Sequence, residues 1–500
     1  MNRSIFQGID RLAAAILAAA LLAMPAAGDG KAAEEILSEA AHSGTLESNL
    51  RVLCDEIGGR MPGTPAMDRA VSWAVKAFQA AGADRVATES FVIPNAWSEG
   101  ETEIAITSPI EARLRGVSSA WVPATPKGGI EAEAIDGGSG SEGYITRLGK
   151  DAQGKILVVR SSEVKTFHDL AIEQRNTTIA VREAVEAGAA AVLFVSTRPN
   201  GLLYRQINIV DGKLEAIPTA LIAREDGLRL LRLIDARGKV RVRVSLPNKT
   251  SGPTRTANVV AEIRGGERPE EYVLVGAHLD SWDLGAGCLD NGCNVALVIE
   301  IARMIAASKL RPKRSIRFVL FSAEEQGLLG SEAYVRAHRG ELDNLAAVVI
   351  HDMGDGKVSG YSLGGRRDIE EGLVNAMEPV SGRGANAHSY DAFFGTDHFD
   401  FLLEGVPTLV AIQDTTEYVT TYHSTADTFD KVSLSALRDR VSIAAVTVFN
   451  IADSETRLGQ RLSRAEVERL VEETGLDDQM KFLGLWDSWA GGARGRGAER

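Results

Sequence analysis

Residues 271–292 read EYVLVGAHLDSWDLGAGCLDNG, and the two halves of this stretch differ in character. Residues 272–277 are apolar at successive positions and rich in β-formers, the pattern of a strand covered on both faces. The run ends directly in His278-Leu279-Asp280. A glycine-rich loop, 285–292, then carries Asp290 and opens into residues 294–307, which are apolar nearly all round and read as a buried helix. A buried strand, a polar loop and a buried helix in that order predict an α/β domain whose chemistry lies at the carboxyl ends of its strands.

Three further apolar runs extend the pattern, at 316–322, 346–350 and 407–412. The first leads into Glu324-Glu325, the second into Asp352, and a loop after the third carries His423. Five potential metal ligands thus converge on one rim: His278, Asp290, Glu325, Asp352 and His423. Three carboxylates gathered without compensation would repel and take up protons. Two divalent ions and one hydroxide cancel their charge, so the rim predicts two ions. Imidazole and carboxylate without thiolate suit Zn2+, with Co2+ or Mn2+ as substitutes. Asp290 would bridge, leaving each ion one histidine and one further acid. On an extended strand end successive side chains diverge, so Glu325 can bind metal while Glu324 faces a water as general base. Asp280 lies two residues after His278 and is expected to accept that ring's second N–H.

The rest of the 500-residue chain sets the frame. Arg3 and Arg11, the uncharged run at 12–24 and Ala26-Ala27-Gly28 read as a signal peptide over 1–28, so the mature protein is expected to be secreted or periplasmic and free of the membrane. A formal charge of −13 argues against nucleic acid or anionic lipid as the main partner. Helices are expected at 46–59 and 66–81 and a strand at 86–93, within an N-terminal part of the catalytic domain over 34–115. From about 116 to 250 the texture turns to short strands and glycine-rich turns, with a strand at 155–160, a helix at 179–187 and a strand at 190–196. This segment reads as an inserted β-rich domain that leaves through a linker at 247–255. The catalytic domain then occupies 256–455, followed by a helical extension at 456–490 and a mobile tail at 491–500. Cys54, Cys288 and Cys293 are too few for a disulfide framework, although Cys288 and Cys293 are close enough in sequence to pair or to pack as thiols. His351 reads as core, and His388, His398 and Tyr418 as pocket or loop residues.

The motifs GAHLDSWDLGAGCLDNG (276–292), FSAEEQGLLGS (321–331), HDMGDG (351–356) and YHSTADTFDKV (422–432) resemble those of the co-catalytic di-zinc aminopeptidases, in their plasma glutamate carboxypeptidase (carboxypeptidase Q)-like branch. EIGGRMPGTP (56–65) resembles the usual N-terminal stretch of that family, and 116–250 its protease-associated domain. The resemblance implies a largely parallel mixed sheet sandwiched by helices. It assigns one ion to His278, Asp290 and Asp352 and the other to Asp290, Glu325 and His423. It makes Glu324 the base, Tyr422 a hydroxyl donor to the tetrahedral intermediate, and Asp290-Asn291 a cis peptide. Cys288, Asn291 and Cys293 depart from the branch's habit around the shared aspartate. Short peptides with a free terminus are the implied substrates, and a homodimer is an open expectation. A glutaminyl-cyclase-like acyltransferase, which shares this fold with a single zinc, is the alternative.

Overall fold

The computed structural model describes residues 30–40 and 44–497, so the expected signal peptide lies outside the described residues. The peptidase sheet has seven strands: β1 (Arg85–Ile93), β2 (Thr254–Ile263), β3 (Arg268–His278), β4 (Arg314–Phe321), β5 (Leu345–Ile350), β6 (Val358–Ser362) and β7 (Thr408–Gln413), in the spatial order β1-β2-β4-β3-β5-β7-β6. β4, β3, β5 and β7 are mutually parallel. The antiparallel β1, β2 and β6 flank them. Helices α1 (Pro65–Ala80), α2 (Cys293–Ser308) and α3 (Leu434–Asp453) pack on this sheet, with Ala74, Leu297, Val275 and Val446 in one core cluster. The buried-helix reading of 294–307 holds because α2 lies between the sheet and its neighbouring helices. Thr64 caps α1 by accepting from the Met67 N–H, and Pro65 occupies the first helical position, where it loses no hydrogen bond.

The chain leaves the peptidase unit after β1 and returns at β2, and Ile93 pairs directly with Thr254. Ala96–Ser98 and Lys249–Ser251 form a second ribbon just beyond. The insertion therefore departs and returns through adjacent strands, which lets a whole domain be accommodated without disturbing the sheet. Its own sheet has eight strands, four of them parallel, Ile130–Asp136, Ile156–Arg160, Ala191–Val195 and Thr219–Ile222, with helices Phe167–Glu186 and Arg224–Arg237.

The structure moves several expected boundaries. The inserted sheet includes Glu103–Ser108 and Ala112–Leu114, so the insertion begins before 116; Ile104 and Ile106 pair with Val244 and Val242 and share their core. The helix expected from 179 starts at Phe167, because Thr166 and Asp169 form a reciprocal capping box. The linker expected at 247–255 is largely strand. The described part of the tail, to residue 497, is held rather than mobile: Arg494 is buried, and its Nε and Nη2 bond Asp400 Oδ1 and Oδ2 at 2.7 and 2.8 Å. No helix among the described residues is long and apolar enough to cross a membrane.

Candidate metal centre

β3 ends at His278, β4 delivers Glu324 and Glu325 three and four residues past its end, β5 delivers Asp352 two past its end, and the loop after β7 delivers His423. These carboxyl ends lie side by side, and the side chains meet. His278 Nε2 is 3.1 Å from Asp290 Oδ1 and 3.0 Å from Asp352 Oδ1. His423 Nε2 is 3.3 Å from Asp290 Oδ2 and 3.0 Å from Glu325 Oε2. The donors form two groups, His278/Asp290/Asp352 and Asp290/Glu325/His423, each with its ligand atoms within 4.8 Å of one another. Asp290 thus serves each group with a different oxygen.

This donor set fits metal ions. His423 Nε2, Asp290 Oδ2 and Glu325 Oε1 are buried and make no hydrogen bond, although His423 Nε2 lies close to carboxylate oxygens. Buried polar atoms left without a hydrogen bond, in groups whose ligand atoms lie within 4.8 Å of one another, are suited to a metal ion. Electrostatics point the same way. Burial works against charge on His423, yet Glu325 and Asp290 outweigh it and raise its pKa to about 9. Burial would also raise Asp290, but His278 and His423 hold it below the usual carboxylate range. Burial lifts Asp352 to about 6, and it lifts Glu324 well above its ordinary value, opposed by His278 and reinforced by Asp352, Glu325 and Asp397. A cluster that retains protons this strongly is one that cations can occupy in their place.

The turn carrying Asp290 is held from two sides. Asp427 Oδ1 accepts the N–H groups of Cys288 and Leu289 at 2.9 and 2.7 Å, and Oδ2 accepts that of Asp290 at 3.1 Å. The buried Arg60 guanidinium donates to the carbonyls of Leu279, Ala286 and Gly287. Asp290-Asn291 is a cis peptide, and Asn291 Nδ2 donates to the His351 carbonyl at 3.0 Å. Neither Asp427 nor Arg60 was singled out from the sequence, although both lie within the quoted motifs. Each acts on backbone groups, so residue type alone carries no signal of its task.

Two sequence readings change in detail. His278 Nδ1 meets the backbone carbonyl of Asp280 at 3.0 Å, while the Asp280 carboxylate stands off at 3.7 Å and accepts the N–H groups of Glu324 and Glu325. Asp280 therefore links the His278 strand to the glutamate loop. Glu324 and Glu325 do not follow an extended strand: β4 ends at Phe321, and Ala323 has a left-handed φ of 62°, so a sharp turn separates both of them from the strand. Tyr422 stacks on His423 with ring centroids 3.6 Å apart, and Tyr418 stands edge-on behind it at 5.2 Å.

The remaining candidates belong to neither donor group. His351 is buried with neither ring nitrogen bonded, and burial holds its pKa down at about 3. His398 is fully buried, with Nδ1 at 2.6 Å from Thr396 Oγ1, so it does not line an open pocket. His388 Nδ1 accepts the Tyr361 N–H at 3.2 Å, a structural role. Cys54, Cys288 and Cys293 are all buried free thiols, so Cys288 and Cys293 pack rather than pair.

Fold and site together define a metallopeptidase. Residues 258–448 match peptidase family M28 and residues 120–230 a PA domain. Carboxypeptidase Q from Bos taurus is 30% identical over 414 residues, 82% of this chain and 85% of that one, and carboxypeptidase Q from Homo sapiens is similar to the same extent. Among solved structures, a Peptidase M28 precursor from Shewanella amazonensis SB2B superposes with a TM-score of 0.77 at 28% identity, covering 87% of this chain and 98% of that one. A zinc aminopeptidase from Bacillus subtilis, 21% identical with a TM-score of 0.66 over 84% of this chain and 98% of its own, shares the fold. The chain belongs to peptidase family M28.

Proposed function

We propose that the protein is an exported di-zinc exopeptidase that hydrolyses dipeptides or short peptides with a free terminus. The observation that carries this is the pair of three-donor groups sharing Asp290, with Glu324 beside them. Zinc, when bound, supplies Lewis acidity to a peptide carbonyl and to the attacking water.

The chain's own residues supply the rest. His278, Asp290 and Asp352 hold one ion, and Asp290, Glu325 and His423 hold the other. Glu324 takes the proton of the attacking water and delivers it to the leaving amine. The Tyr422 hydroxyl donates to the carbonyl oxygen as charge develops there. Asp280 and Asp427 hold the loops that present these groups, and the inserted domain covers the rim and restricts entry to short peptides. Export is supported by the residues at 1–28, and the carboxypeptidase Q relatives support exopeptidase action. The acyltransferase alternative works with one ion. It is not favoured, because both donor groups are complete.

The test is metal analysis of the purified full chain combined with a dipeptide-library assay. Two zinc ions per chain and hydrolysis that chelation abolishes and Zn2+ restores are expected. One ion per chain with cyclising activity, or hydrolysis indifferent to chelation, would overturn the reading. A longer peptide labelled at each end tells amino- from carboxypeptidase action.

A further inference from the structure

The inserted domain reaches into the centre itself. Between its strands Ala191–Val195 and Thr219–Ile222, residues 203–212 lie as a strap across both ligand-bearing loops. The Arg205 N–H donates to the His423 carbonyl at 2.8 Å and the Thr425 N–H to the Leu203 carbonyl at 3.1 Å, a short antiparallel bridge centred on Tyr204 and Ser424. Further on, the Gly212 N–H donates to the Gln326 carbonyl at 3.1 Å, one residue past Glu325. The Val210 carbonyl lies so near Gly327 that a Cβ there would come within 2.0 Å of it. One strap therefore holds both protein loops that carry the ligands Glu325 and His423.

Arg205 anchors the strap. Its side chain is fully buried; Nε and Nη2 reach Asp283 Oδ1 at 3.0 and 2.7 Å, Nη2 reaches Glu99 Oε2 at 2.9 Å, and Nη1 donates to the Ser118 carbonyl at 2.6 Å. Asp283 follows Trp282, whose ring stands edge-on to His423 at 5.6 Å and to Trp121 of the inserted domain at 6.1 Å. His423 itself sits at a left-handed φ of 57°, a conformation a histidine keeps only where its surroundings dictate it. Those surroundings include the Arg205 N–H on its carbonyl, Trp282 edge-on to its ring and Tyr422 stacked face-on against it.

We propose that Arg205 is a positioning residue through which the inserted domain completes the second metal site, Asp290/Glu325/His423. The ligands of both groups belong to the peptidase unit, but the strap's backbone hydrogen bonds fall on the loops of Glu325 and His423, which serve the second group. The inference rests on the metal-centre reading given under Proposed function. Arginine suits the task because its planar fork engages three segments at once, which a lysine's single ammonium cannot reproduce.

Titrating the metal-free full chain with Zn2+ by calorimetry, and with Co2+ by absorption, tests this in Arg205→Met and Arg205→Lys. The wild type is expected to bind two ions. Arg205→Met should keep one site within twofold of the wild-type Kd and weaken the other at least tenfold, with activity recovering at excess Zn2+. Arg205→Lys should fall between. Two sites with wild-type Kd, even with a lowered Tm, or two sites weakened equally, would overturn the inference alone. A wild type that binds no second ion would instead overturn the di-zinc reading beneath it. Should Arg205→Met not fold, Asp283→Ala, which removes the oxygen that accepts from both Nε and Nη2, must show the same one-sided weakening, and its absence counts against the inference.

Discussion

Asp427 holds Asp290 by its backbone: Oδ2 accepts the Asp290 N–H at 3.1 Å while Oδ1 takes the two preceding N–H groups. The ligand shared by both metal groups is thus presented by a carboxylate that belongs to neither. Burial raises Asp427 to about 7, a measure of how far its environment disfavours charge there.

Asp427→Asn replaces one acceptor oxygen with an amide NH2, which donates and cannot accept the backbone N–H groups it would face. Both metal sites should weaken together, by about 10- to 100-fold, as for other residues that orient ligands. Calorimetric metal titration checks this, and far-UV circular dichroism of the metal-free protein should stay unchanged. Equal weakening of both sites distinguishes this change from Arg205→Met.

Glu324→Gln keeps the shape of the side chain and removes its proton affinity. Metal content and KM should stay near the wild type, while kcat falls about 10²- to 10⁴-fold, the usual contribution of a positioned general base. Steady-state dipeptide hydrolysis with metal analysis of the same sample is the check. A variant with full metal content and wild-type kcat would remove the base role from Glu324.

Glu215, buried in the inserted domain, accepts from Asn208 Nδ2 at 2.8 Å and Thr219 Oγ1 at 3.3 Å, and burial lifts its pKa to about 7 against an ordinary 4.5. The folded protein therefore binds this proton more tightly than the unfolded chain does. Its contribution to stability is complete below about pH 4.5 and is lost as pH rises to about 7, amounting to at most about 3 kcal/mol. Glu215→Gln should gain stability relative to the wild type between pH 5 and pH 8. Urea unfolding of both proteins at the two pH values measures that change.

Cys288 and Cys293 are buried, and their thiols are held above the ordinary cysteine range: Cys288 by contact with the Cys54 thiol and by burial, Cys293 by burial. Thiolate is the reactive form. The native protein should therefore react slowly with a thiol reagent, and the unfolded chain should titrate three thiols without prior reduction. Fewer than three would restore the disulfide that the spacing of Cys288 and Cys293 allows.

Arg494 and Asp400 form a bidentate pair in which both side chains are buried. Arg494→Met leaves the Asp400 carboxylate without its partner, and a loss of about 3 kcal/mol is expected. Asp400→Asn together with Arg494→Met should recover much of it. Denaturant unfolding of the single and double variants measures the coupling.

The strands that carry the site were legible because each central parallel strand holds a short, largely apolar run, and three of them lead within four residues into a candidate ligand. The edge regions were not. β2 carries Thr254, Thr256 and Asn258, and Glu103–Ser108 is short and mixed, so neither stands out from a loop until its neighbours are known. The tail is opaque for a related reason: a glycine- and arginine-rich run has the composition of a solvated segment, and its order comes from the distant Asp400, which binds Arg494.

The sequence alone located the central strands and picked out the five candidate ligands, because strand burial and ligand chemistry both leave local patterns. Only the tertiary structure decided that Asp290 offers one oxygen to each histidine, that His278 leans on a carbonyl rather than a carboxylate, that Asp427 and Arg60 brace the turn carrying Asp290, and that Arg205 bonds the backbone of His423. Those roles run through backbone hydrogen bonds between segments far apart in the chain. Such bonds depend on where groups lie in space and leave no mark on the pattern of residue types.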